Sequence, residues 1–168
     1  INFGCGKEKV DGYCNVDNDP NVKPAVLWDL NVYPLPFKDN SAEKLRAYNV
    51  LEHLKEPQKF LEECYRIMKP GGRIYIQVPI YGTYSAAHLN HYFAGFTPYS
   101  FLILEQKRWN WEFQKMPFHV KSIKVSTPFF WDLRVHWRWV HVNHFVNNVF
   151  SQMFVTLEKL EEENRHDK

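Results

Sequence analysis

Two groups of residues in this 168-residue chain have types and spacing suited to chemistry. The first is Gly4-Cys5-Gly6, which follows the short strand-like run Ile1-Asn2-Phe3 and precedes Asn15-Val16-Asp17. Glycines after a strand let the backbone turn tightly and approach a ligand with no Cβ in the way. An acid at the end of the next strand, Asp17, is where a nucleotide-binding α/β sheet receives a ribose. The second group is histidine- and tyrosine-rich: Tyr81, Tyr84, His88, His91 and Tyr92, with His53 upstream. His88 and His91 are close enough in sequence to share a metal. No third or fourth ligand has convincing spacing, so no metal is expected.

The elements that must position these residues follow from the pattern. Between Gly6 and Asp17 there is room for one helical turn at most, around Lys7 to Val10. A third glycine is absent, with Lys7-Glu8 where it would fall. A pyrophosphate on a helix N-terminus is therefore disfavoured, whereas a ligand that needs backbone contact and a ribose-binding acid fits. Asp19-Pro20-Asn21 is a turn. Short strands are expected at Tyr13–Val16, Ala25–Trp28 (ending at Asp29-Leu30) and Leu45–Asn49, the last delivering Val50, Leu51, Glu52 and His53. Pro57 opens a helix whose Phe60, Leu61, Cys64, Ile67 and Met68 share one face. Lys69-Pro70-Gly71-Gly72 stops it, and Arg73–Val78 is a strand closed by Pro79.

Residues 80–95 lack periodicity and read as a loop over the sheet edge. Thr97 is expected to cap a helix from Pro98 to about Lys107. A strand at Val120–Val125, a helix at Trp137–Met153 and a final strand at Phe154–Leu160 complete the chain. The domain is expected to span 1–160, with an aromatic-rich insertion at 128–153 and a charged tail at 161–168. The fold class is α/β: a Rossmann-like, doubly wound, mostly parallel sheet with an antiparallel last strand and the first inter-strand helices shortened or absent.

Composition sets the remaining bounds. Apolar residues at 45% and charged residues at 24% are ordinary for a globular chain, and a net charge of +2 gives no case for nucleic acid. The three cysteines are odd in number and unpaired in spacing, which points to a reduced, cytoplasmic protein. No signal peptide or membrane-spanning apolar run is present. The chain opens on a strand residue rather than Met, so a preceding piece is expected.

Three segments in order resemble the class I S-adenosylmethionine-dependent methyltransferases, in particular the small type 11 group. They are Ile1-Asn2-Phe3-Gly4-Cys5-Gly6 with Asn15-Val16-Asp17; Leu35-Pro36-Phe37-Lys38-Asp39-Asn40-Ser41 with Asn49-Val50-Leu51-Glu52-His53-Leu54; and the run from Glu63 to Arg73. The resemblance covers about residues 1–104. It implies S-adenosylmethionine as cofactor and S-adenosylhomocysteine as product. Gly4, Cys5 and Gly6 would lie under the methionine part, and Asp17 would accept from both ribose hydroxyls. Asn18, Asp29 and Leu30 would meet the adenine, and Asn49, Val50 and His53 the methionine side. His91 and His53 are the candidate proton acceptors, and Tyr81, Tyr84, His88 and His91 the acceptor-binding set. Family members usually carry an acid where this chain has Asn2, so a contact to the cofactor ammonium is expected to be weak.

The acceptor implied is a small molecule, a sugar or a peptide. The alternative is a non-catalytic relative that binds or scaffolds. The short early connections would leave one sheet face under-covered. The Trp137–Met153 helix, the piece before Ile1 or a partner chain, including a second copy held through the aromatic segment, is expected to cover it.

Overall fold

A computed structural model describes residues 1–105, 116, 118–126, 133–134 and 152–160. Among the described residues, eight strands make one sheet: β1 (Asn2–Phe3), β2 (Asn15–Asp17), β3 (Val26–Leu27), β4 (Ala42–Tyr48), β5 (Met68–Pro79), β6 (Phe118–Ser126), β7 (Leu133–Arg134) and β8 (Gln152–Lys159). Their order is β3-β2-β1-β4-β5-β8-β6-β7. The first five are mutually parallel, and β8 runs antiparallel to both β5 and β6. β7 adds a short antiparallel pairing to β6 inside the expected insertion. Parallel strands put all their carboxyl ends on one edge, which is where a ligand crevice forms.

The core follows from alternation. Ile74, Ile76 and Val78 on β5 and Met153, Val155 and Leu157 on β8 are buried, and Ile76 pairs directly with Val155. Helix α1 (Pro57–Ile67) lays Phe60, Leu61, Cys64 and Ile67 onto the sheet. There Phe60 meets Phe3 edge-on, with ring centroids 5.2 Å apart. Arg66 straps the preceding loop to this helix: its guanidinium donates to Leu35 O, Phe37 O, Asp39 and Glu63. Glu63 in turn accepts from Leu35 N at 2.7 Å.

No regular helix joins β1 to β2, and a single 3-10 turn, Pro20–Val22, joins β2 to β3. Side-chain amides stand in for the first crossover. Asn15 Oδ1 accepts from Val10 N and Asn2 Nδ2, while Asn15 Nδ2 donates to Val10 O and Tyr13 O. Asn2 is 1% exposed, and its Oδ1 accepts from Arg46 on β4.

Four expectations need correction. Pairing in β5 begins at Met68, which lies opposite Ala42, rather than at Arg73. Lys69-Pro70-Gly71-Gly72 is a bulge inside that strand, with Gly71 at φ +74°, so the helix stop and the strand start overlap. Lys159 closes the end of α1, its Nζ donating to Tyr65 O, Met68 O and Asn40 Oδ1. The helix expected from Pro98 is short: α2 spans Tyr99–Leu102 and passes into a 3-10 turn at Ile103–Glu105. Glu105 accepts from Val120 N and contacts His119, a tie to β6 that draws the segment off a regular helical path. Thr97 does not cap it through its side chain. Finally, Gln152 and Met153 open β8 rather than ending a helix, because Met153 fills the core between Val78 and Val125. The rest of that expected helix, including Trp137, Trp139, His141 and His144, lies outside the described residues, as do Trp131, His136 and the tail at 161–168. Among the described residues no helix is long and apolar enough to cross a membrane.

Candidate active site

At the carboxyl edge of the parallel strands lies a cavity of about 320 Å³. Its wall brings together residues from four strand ends: Gly4 and Gly6 after β1, Asp17 and Asn18 at β2, Asp29 and Leu30 after β3, and Asn49, Val50 and His53 after β4. Nine of the ten residues expected to touch a cofactor thus share one wall. Cys5 is the exception. It is buried at 4% exposure, its N–H donating to Val16 O, and burial pushes its thiol pKa up.

The loop geometry has a local cause. Gly4 and Gly6 have φ of +59° and +48°. A Cβ on Gly4 would meet Val50 Cγ2 at 2.6 Å, whereas one on Gly6 would meet nothing within 4 Å. The first glycine permits close packing; the second leaves open space on the cavity side. Asp17 holds the loop, accepting from Gly6 N at 2.7 Å through Oδ2 and from Asp19 N at 3.0 Å through Oδ1. A carboxylate oxygen has two lone pairs, so each retains capacity for a further donor. Asp29 is fixed similarly by Asn31 N. Trp28, Asn31 and Leu54 also line the cavity and were not anticipated. Their signal was adjacency to Asp29 and His53 at strand ends.

The second group lies beside the first. Glu52 and His53 sit in a 3-10 turn, Leu51–His53, and the helix does not start until Pro57. The loop after β5 is closed by a bridge between Ile80 and Phe96 and pinned to this turn by Tyr92 N, which donates to Glu52 O at 2.8 Å. His91 consequently packs edge-on against His53, centroids 4.7 Å apart. Burial lowers the His91 pKa and raises that of Glu52. Tyr81 and His88 are exposed and do not line the cavity, although the His88 ring stands 5.3 Å from that of His91. The Tyr84 side chain lies outside what is described.

Residues 3–76 match the protein family described as Methyltransferase domain. The matched stretch holds the glycine loop, Asp17 and the other strand ends that line the cavity, so this part of the chain is similar to a methyltransferase domain. An uncharacterized methyltransferase of Mycobacterium tuberculosis is 28% identical to it over 97 residues, half of this chain and 38% of that protein. Across the curated relatives the matches cover between 16% and 38% of those proteins' lengths. A methyltransferase of Archaeoglobus fulgidus shares the fold at a TM-score of 0.62 and 18% identity, covering 94% of this chain and 84% of that one. So does a chain from the complex of the Haloferax volcanii Trm112 methyltransferase activator with a methyltransferase. Its TM-score is 0.62 at 16% identity, covering 96% and 81%.

S-adenosylmethionine, the cofactor of this methyltransferase family, suits the residues present. The space beside Gly6 is open to a ligand, the Asp17 carboxylate has lone pairs for a diol, and the volume is within the range of about 300–1,000 Å³ usual for small-ligand sites. The Asn2 position contributes nothing to the wall, its amide being consumed by Asn15 and Arg46.

Proposed function

We propose that this chain binds S-adenosylmethionine in the cavity and transfers its methyl group to an acceptor entering beside the 80–96 loop. One observation carries the reading: the glycine loop, two strand-end acids and the post-β4 turn all line the same cavity. In this reading Asp17 holds the ribose hydroxyls, and Asn18, Asp29 and Leu30 receive the adenine. Gly4, Gly6, Asn49, Val50 and His53 bound the methionine end.

The cofactor supplies an activated methyl on a good leaving group. The protein's work is then alignment, holding the acceptor atom about 3–3.5 Å from that carbon. In this reading His53 and His91 would take a proton from a hydroxyl or amine acceptor, and the lowered pKa of His91 favours its neutral, proton-accepting form. The acceptor class is a small molecule, a sugar or a peptide. The Haloferax volcanii structural relative comes from a complex of an activator protein with a methyltransferase. A protein partner covering part of the sheet is proposed for this chain too.

Isothermal titration of the intact chain with S-adenosylmethionine and S-adenosylhomocysteine tests the reading. Saturable binding is expected, with severe weakening in Asp17→Ala. Absence of binding in a folded chain would remove the proposal.

A further inference from the structure

Glu52 is 2% exposed, and its Oε2 has no hydrogen-bond partner. A buried carboxylate oxygen without a donor is costly, and such a group calls for a cation or a proton donor nearby. The same side chain lies close to two imidazoles. One ligand atom each from Glu52, His53 and His91 lie within 4.8 Å of one another. The Nδ1 of His53 faces Asn90 O at 3.2 Å, and the Nδ1 of His91 faces Ala86 O at the same distance. Backbone carbonyls placed there hold the proton on Nδ1 and leave each Nε2 with its lone pair. Metal-bound histidines are oriented in this way by their outer contacts.

We propose that Glu52, His53 and His91 form a binding site for a divalent transition-metal ion at the edge of the cavity. Two imidazole nitrogens and one carboxylate oxygen make a donor set that zinc and iron(II) both accept, with coordination positions left open. Around zinc, ligand atoms at about 2.0–2.1 Å sit roughly 3.4 Å apart, so the three residues need to close by little more than an ångström. The positions are built rather than incidental. Glu52 and His53 share one turn, and Tyr92 N holds the His91 loop to the Glu52 carbonyl. His88 and His91 alone had suggested no metal, because the other two donors come from a turn far away in sequence.

His53 belongs both to the cavity wall and to this cluster, so a bound ion borders the cavity. Resting on the methyl-transfer reading, its open positions would take an oxygen donor of the acceptor and lower the pKa of that donor, so that with the ion bound the two imidazoles serve as ligands and no longer as proton acceptors. An ionisable hydroxyl or a carboxylate would be favoured over a purely apolar acceptor.

The experiment is titration of the chelator-treated intact chain with zinc, alongside Glu52→Gln and His91→Ala. His119→Ala and Cys14→Ser serve as controls away from the cluster. One equivalent should bind, with affinity falling by about tenfold or more in the first two variants and unchanged in the controls. Circular dichroism confirms that the near-isosteric Glu52→Gln remains folded. No saturable zinc binding, or equal binding by Glu52→Gln and His91→Ala, overturns the site. Zinc bound through these residues by a chain that does not take S-adenosylhomocysteine supports the site and removes only the methyl-transfer reading. S-adenosylhomocysteine bound by a chain that takes no zinc does the reverse.

Discussion

Replacing Gly4 by alanine separates the packing role of the first glycine from the ligand-facing role of the second. At φ +59° an L-residue carries a left-handed penalty of about 1–2 kcal/mol. The new Cβ would also lie 2.6 Å from Val50 Cγ2, and Val50 is 5% exposed and cannot swing aside into solvent. Overpacking of this kind costs about 1–3 kcal/mol, giving roughly 2–5 kcal/mol in all. For a chain of this size each kcal/mol lowers Tm by about 2–4 °C, so a drop between about 4 and 20 °C is expected. Gly6→Ala shares the backbone term, at φ +48°, but meets no neighbour within 4 Å. It should lose about 1–2 kcal/mol. Its larger effect should fall on S-adenosylhomocysteine affinity, because its methyl projects into the open space beside the loop. Thermal and urea melts of Gly4→Ala, Val50→Ala and the double variant isolate the contact, with a coupling of about 1 kcal/mol or more expected. If Gly6→Ala is as destabilising as Gly4→Ala, or the double variant is simply additive, the steric reasoning is wrong.

Lys159→Met should cost about 2–3 kcal/mol, because it strips donors from the Tyr65 and Met68 carbonyls at the end of α1 while relieving the burial of an ammonium. An unfolding free energy from urea melts within about 0.5 kcal/mol of that of the unaltered chain would refute that balance. Acid sensitivity should trace partly to Glu63, whose carboxyl is held below its usual range by Arg66 and then by Leu35 N. A depressed folded pKa means the stabilisation is complete above the ordinary value of 4.5 and is lost as pH falls through the folded one. Glu63→Gln should therefore flatten the acid limb of a stability profile and leave its shape above neutral pH unchanged; an unaltered acid limb would contradict the assignment.

The sequence made the parallel half of the sheet legible because each strand there ends on a residue of distinct chemistry: Gly4, Asp17, Asp29 and Asn49. Those same ends formed the cavity wall. Cys5, between two wall glycines, is off the wall because its side chain is buried, which a run of three residues does not reveal. The start of β5 was hidden because Pro70-Gly71-Gly72 reads as a stop, although pairing resumes across the bulge. Met153 was drawn into a helix because a three-and-four spacing with Val149 and Phe150 does not register that its neighbours are Val78 and Val125. The Glu52–His53–His91 cluster was invisible for a different reason. Residues 52 and 91 meet through a loop closure, which no local spacing encodes.

The amide pair beneath the glycine loop has a further consequence. Asn2 and Asn15 lock the first crossover with groups that never ionise, and Arg46, which donates to Asn2 Oδ1, lies over the Tyr48 ring at 3.9 Å. An acid at position 2 would have placed a titrating charge directly under the loop. With asparagine there, the crossover that carries the ligand loop is held by the same hydrogen bonds at every pH, and the footing of the loop does not depend on proton traffic at the mouth of the cavity.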